Sequence, residues 1–98
     1  MLDVLPNFFS PFTIFLYGDF PPNERKELQR YIVAYGGKLV EYLTDEVTHV
    51  VTNKKWDEQF DEALESNENL RILKPDWILK CKEANKLVPW QKHIVSPQ

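Results

Sequence analysis

The chain has 98 residues and a net charge of −3, from 12 basic and 15 acidic side chains. This length predicts one domain, and the charge argues against a protein that coats duplex DNA, which needs clustered positive charge. The single cysteine, Cys81, excludes an internal disulfide and predicts a reducing compartment. With only two histidines beside it we expect no metal or other cofactor, and no apolar run approaches membrane-spanning length.

Residues 1–11 form an apolar arm that Pro6 and Pro11 interrupt. Such an arm must dock, either on its own domain or on a partner. Residues 12–17 (FTIFLY) are β-branched, aromatic and almost entirely apolar, which predicts a strand buried on both faces. Gly18 ends this strand.

The first predicted helix covers residues 24–35. Its apolar residues follow the spacing i, i+3, i+4 and i+7 of one helix face, and they are Leu28, Tyr31, Ile32 and Tyr35. Asn23 is a suitable N-cap for this helix. Gly36 and Gly37 follow it and predict its end.

The rest of the chain alternates short strands with helices. The predicted strands cover residues 38–42, 47–52 and 70–73, and helices are predicted over residues 56–65 and from Pro75 onward. In the 47–52 strand we expect Val47, His49 and Val51 to share one face. In the last helix we expect Trp77, Ile78, Cys81 and Ala84 to line one face. We predict a domain over residues 12–90 and a tail over residues 91–98.

Strands that alternate with helices predict a parallel sheet with helices on both of its faces. The strand that ends at Gly18, the helix that ends at Gly36 and Gly37, the 48–51 strand and the helix with Trp77 resemble those of a BRCT domain. The resemblance covers roughly residues 12–90. It implies a four-stranded sheet of order 2-1-3-4, with helices one and three on one face and helix two on the other. It also implies that these three glycines and Trp77 are structural positions of the core.

Five longer segments carry a closer resemblance: LPNFF, FLYGDFP, ERKELQRYIVAYGG, WDEQFDEAL and KPDWILKC. They look like the C-terminal BRCT domain of a scaffold for single-strand-break and base-excision repair. Residues 30–35 are also similar to the BRCT domain of DNA ligase III. The resemblance implies a nuclear interaction module without catalytic activity, which pairs with the ligase III BRCT domain or with a second copy of itself.

Pairing of this kind implies a contact surface on helix one and on the N-terminal arm. Tyr31 beside an arginine, near an exposed valine, has the composition of an interface hot spot. We expect a contact centre of Arg30, Tyr31 and Val33, with Gln29 beside it, apolar area from Leu5, Phe8 and Phe9, and a rim of Arg25 and Lys26.

The alternative is a domain that reads phosphopeptides or DNA ends. BRCT domains that bind phosphoserine use a hydroxyl residue before the glycine of strand one and a lysine of helix two. Here Tyr17 precedes that glycine, and Asp61 or Glu62 falls at the lysine position, so the phosphate site is incomplete. Lys54 and Lys55 could make only weak, salt-sensitive contacts, so no strong direct binding to DNA is expected.

An enzyme is not expected. The carboxylates of helix two have the pattern of a solvated helix face, and acid–base catalysis needs a cleft with shifted pKa values. His49 lies within an apolar strand and is interpreted as a hydrogen-bonded core histidine. No glycine-rich phosphate loop or nucleophile motif is present in the sequence.

Overall fold

The computed structural model describes residues 6–95. The elements in chain order are β1 (Thr13–Tyr17), α1 (Pro22–Ala34), β2 (Lys38–Val40), β3 (His49–Thr52), α2 (Glu58–Ser66), β4 (Arg71–Leu73), α3 (Asp76–Ala84) and a 3-10 turn at Trp90–His93. All strand pairs are parallel and their order is β2-β1-β3-β4. The predicted fold class and strand order are confirmed. No helix in residues 6–95 is long and apolar enough to cross a membrane.

The sheet separates two apolar clusters. Helices α1 and α3 pack on one face, where Ile14, Ile32 and Trp77 are almost completely buried. Helix α2 packs on the other face through Phe60. The Trp77 indole Nε1–H donates to the Val88 carbonyl over 3.1 Å, so its one polar group is satisfied inside the core.

The described part of the N-terminal arm, residues 6–11, docks on its own domain. The backbone N–H of Phe9 donates to the carbonyl of Tyr35 over 3.0 Å. The Phe9 side chain has no exposed area, and its ring centroid lies 5.4 Å from that of Trp77. The arm therefore completes the core over α1 and α3.

The described part of the predicted tail, residues 91–95, belongs to the domain. Ile94 forms an antiparallel bridge with Leu73. Val95 is buried, and its N–H donates to the carbonyl of Ile72 over 2.9 Å. Although the predicted domain ends at residue 90, this segment satisfies hydrogen-bonding groups along the exposed edge of β4.

Several local predictions are also corrected. Asn23 lies inside α1 and is not its N-cap, because Pro22 at the first position already has the φ that a helix needs. Val47 precedes β3 and packs with Val50, not with His49. Ala84 is exposed at the end of α3. The predicted strands were longer than the observed ones, because the β propensity of a residue does not indicate where hydrogen bonding to the neighbouring strand ends.

The two glycines after α1 permit a close turn into β2. Gly36 has a φ of +92°, a backbone conformation that residues with a Cβ rarely adopt. At Gly37 the space is limiting, since a Cβ there would lie 2.7 Å from Cγ2 of Ile32 and 3.0 Å from its carbonyl oxygen. The turn thus holds the end of α1 against the first residues of β2.

Substitution of Gly37 by alanine is expected to lower the free energy of unfolding by about 1–3 kcal/mol, the usual range for an overpacked site. The backbone carbonyl of Ile32 cannot move without disturbing α1. Urea denaturation of the variant measures the effect. Ala34→Ser, an exposed change three residues earlier, is the matched control and should stay within about 0.5 kcal/mol of the parent. Equal stability of Gly37→Ala and the parent would contradict the close contact.

Candidate functional site

The side of α1 that faces away from the sheet is the main candidate surface. Leu28, Ile32 and Tyr35 are buried, which fixes the rotation of the helix. Six of the residues predicted to bind a partner lie on α1. Three of these six are exposed, namely Lys26, Arg30 and Val33, and three are half-buried, namely Arg25, Gln29 and Tyr31. Val33 has 59% of its surface exposed although it is a large apolar residue.

Tyr31 lies between α1 and α3 and packs against the edge of the core. Its hydroxyl donates to the Glu27 carboxylate over 2.7 Å. The ammonium of Lys82, from α3, lies 5.1 Å from the centre of its ring. The hydrogen bond to Glu27, with a smaller effect of burial, raises the pKa of the Tyr31 phenol. The phenol is therefore neutral at physiological pH and is held in one orientation.

Tyr31 and Val33 do not form one compact patch. An α-helix turns about 100° per residue, so their side chains lie roughly 160° apart around the α1 axis. Arg30 lies between them at the centre of the exposed side. A partner that contacts all three must therefore lie across α1 and reach both of its edges.

The arm residues separate into two groups. Phe8 is half-buried and stacks on Tyr35, with ring centroids 4.6 Å apart. Tyr35 follows Tyr31 by one helical turn. Phe9, also predicted to offer apolar area to a partner, is completely buried and offers none in this conformation. Its ring fills the space above Trp77 instead. Leu5 lies outside the described residues.

The position where other BRCT domains hold phosphoserine has different chemistry here. The Tyr17 ring packs edge-on against Phe60, and the Lys54 ammonium lies 5.3 Å from its centre. On α2, the Asp61 carboxylate accepts from the Trp56 indole N–H over 3.0 Å. A carboxylate at this place repels a phosphate dianion, so the geometry does not favour that ligand.

His49 serves the core. Its ring is parallel to the Trp77 indole, with centroids 5.4 Å apart, and Nδ1 lies 2.8 Å from the Thr48 hydroxyl. Burial, together with the charge of Arg71, lowers its pKa to about 4. The imidazole is therefore neutral at physiological pH and 7% exposed, as its interpretation as a core histidine requires. Residues 6–95 contain no group of three or more potential metal-ligating side chains.

A comparison with protein families agrees with this geometry. The model of the BRCA1 C Terminus (BRCT) domain matches residues 4–82. The chain belongs to the BRCT domain family. Among individual proteins, it is 46% identical over 94 residues to DNA repair protein XRCC1 of Homo sapiens and to that of Rattus norvegicus. The match covers 96% of the chain but only 15% of either relative.

Solved structures give the same result. The C-terminal BRCT domain of human XRCC1 superposes with a TM-score of 0.92 at 46% identity, covering 96% of this chain and 98% of that one. The human REV1 BRCT domain has a TM-score of 0.73 at 20% identity, which shows the shared fold alone, over 97% of this chain and 94% of the other. The resemblance drawn from the sequence motifs is confirmed.

Sequence reasoning did not find two neighbours of Tyr31. Glu27 precedes it by four residues, a spacing that brings side chains together on a helix, so the sequence held that signal. Lys82 comes from α3, 51 positions later in the sequence, and no local pattern places it beside Tyr31. Both neighbours lie at the edge of the candidate surface and add opposite charges to it.

Proposed function

We propose that this chain is the interaction module of a DNA repair scaffold and that it pairs with the BRCT domain of DNA ligase III. The 46% identity to DNA repair protein XRCC1 supports a role in DNA repair. The proposal includes a role in the repair of single-strand breaks and damaged bases, in the nucleus. The observation that carries the pairing itself is the exposed side of α1, where Val33 is 59% exposed, Arg30 lies at the centre and the oriented Tyr31 lies at one edge.

The proposed mechanism is tethering and requires no catalytic residue. A stable complex between two BRCT domains raises the effective concentration of the ligase at the site that the scaffold occupies. The half-buried Tyr31 suits this role, because an interface residue whose rotamer is already held loses little entropy on binding. The Phe8 ring, stacked on Tyr35, extends the apolar area beyond the end of α1.

The charges of α1 also allow pairing of two copies of the chain. The exposed side carries Glu27 together with Lys26 and Arg30. In a two-fold arrangement the same surface meets itself, so a helix with both signs of charge is able to form complementary pairs. Arg30, at the centre of the exposed side, is in the position closest to a partner helix that crosses α1.

Light scattering of the purified domain, alone and mixed with the ligase III BRCT domain, tests the proposal. We expect a homodimer mass for the domain alone and a one-to-one complex after mixing. A monomer mass in both samples would overturn the pairing and would direct attention to phosphopeptides and DNA ends as ligands.

Tyr31→Arg is expected to abolish pairing. The change places a cation near Lys82 and Arg30 and removes an aromatic hot spot, so we expect at least about a thirtyfold loss of affinity, equivalent to about 2 kcal/mol. Lys86→Arg, at an exposed position after α3, is the matched control. Calorimetric titration gives the affinities, and thermal unfolding of the monomer verifies the fold. Unfolding of the isolated variant would show that Tyr31 acts in the core and not at the interface.

A further inference from the structure

A cavity of about 700 Å³ opens beside the ends of β3 and β4, away from the exposed side of α1. Its lining residues come from the β3–α2 loop, the residue after β4 and the C-terminal segment: Thr52, Asn53, Lys54, Lys55, Trp56, Lys74, Ile94 and Val95. All of the charged residues in this lining are lysines. In a chain of net charge −3, this is a local excess of positive charge.

The backbone that carries these lysines is held in place on both sides of the cavity. Thr52, the buried last residue of β3, accepts the Lys54 N–H on its hydroxyl over 3.0 Å, which fixes the start of the loop. In the second lining segment, the Lys74 N–H donates to the His93 carbonyl over 2.8 Å. The cavity is therefore bounded by ordered backbone, and its lysines come from two separate segments of the chain.

The lysines that line the cavity favour the binding of an anion with several negative charges. The carboxyl ends of parallel strands are the usual position of ligands in α/β folds, and the volume lies within the range of small-molecule sites. Three lysines line the cavity, and a lysine ammonium binds phosphate groups as a point charge. Ile94 and Val95 supply an apolar wall.

We propose that this cavity binds a small ligand with two or three linked phosphate groups. Lys55 and Lys74 supply the main cationic contacts, since the Lys54 ammonium already lies near the Tyr17 ring. Tyr17 and Gly18 do not line the cavity, so the site differs from the position that other BRCT domains use for phosphoserine. The proposal does not depend on pairing through α1.

Titration of the ¹⁵N-labelled domain with tripolyphosphate, followed by NMR at constant ionic strength, tests the proposal. We expect saturable shifts of the amides of residues 52–56 and of Lys74, and of the Trp56 indole. The double variant Lys55→Gln/Lys74→Gln should bind about tenfold more weakly, as expected after loss of two ion pairs at a partly open site.

The matched control is Lys80→Gln/Lys86→Gln, which removes the same charge at exposed positions outside the cavity. It should bind tripolyphosphate as the parent does. Equal weakening in both double variants would show that only net charge matters and would overturn the site. Shifts that do not saturate, or that spread evenly over the surface lysines, would overturn it as well, whatever the outcome of the pairing experiments.

Discussion

Replacement of Phe9 by alanine is expected to lower the free energy of unfolding by about 3–5 kcal/mol. The side chain is completely buried, and its ring contacts those of Trp77, Tyr35 and Phe12. Removal of the ring leaves a cavity that the rigid indole of Trp77 cannot fill. For a domain of this size the loss is a large part of the total stability, which is about 5–15 kcal/mol. Urea denaturation measures it.

Two controls separate a core role from a role at an interface. Phe8→Ala, at the half-buried neighbouring position, should cost clearly less, because part of its ring is exposed in the folded state. Val33→Ala, at an exposed position of α1, should change stability by no more than about 0.5 kcal/mol. A Phe9→Ala variant with unchanged stability and impaired pairing would show that the arm leaves the core to bind a partner.

Between pH 6.5 and pH 4, His49 is expected to make the fold less stable as the pH falls. Its pKa is lowered from 6.5 to about 4 in the folded state, chiefly by burial. In that interval the unfolded chain binds a proton that the folded chain excludes, so unfolding is favoured. The full contribution of neutral His49 is present above pH 6.5. Its loss on acidification to pH 4 amounts to about 3 kcal/mol.

His49→Gln removes the titrating group and provides the comparison. Carboxylates contribute to acid unfolding of both proteins, so the informative quantity is the difference between their free energies of unfolding at each pH. We expect this difference to change by about 3 kcal/mol between pH 7 and pH 4. Parallel stability curves for parent and variant over this interval would show that His49 titrates normally in the folded state. Burial of the ring would then not be sufficient to exclude a proton.

The order of the elements and the identity of most core residues were predictable from the sequence. The spacing of Leu28 and Ile32 predicts which side of α1 is buried, because a helix repeats every 3.6 residues. Gly36 and Gly37 predict the turn into β2, since a glycine relieves a conformation that other residues resist. The helical spacing of Trp77, Ile78 and Cys81, together with the family resemblance, predicted that Trp77 is a core residue, and its side chain is buried.

The sequence did not determine what covers each buried face. The same apolar arm could dock on its own domain or on a partner, and only the tertiary structure places Phe9 above Trp77. Likewise, residues 91–95 have the local pattern of a tail, and only the tertiary structure shows that they pair beside β4. The docking of both segments depends on contacts between residues far apart in the chain, and the hydrophobic periodicity of the sequence does not predict such contacts.

The candidate functional surfaces, too, were predictable from the sequence only in part. The sequence by itself determined that α1 exposes Arg30 and Val33, because helical rotation follows from the buried positions. Only the tertiary structure decided that Lys82 borders Tyr31, and that Lys74 and Lys55 line the same cavity. The reason is physical: local patterns fix the direction of a side chain from its own helix or strand, whereas the neighbours it meets are set by how separate elements pack.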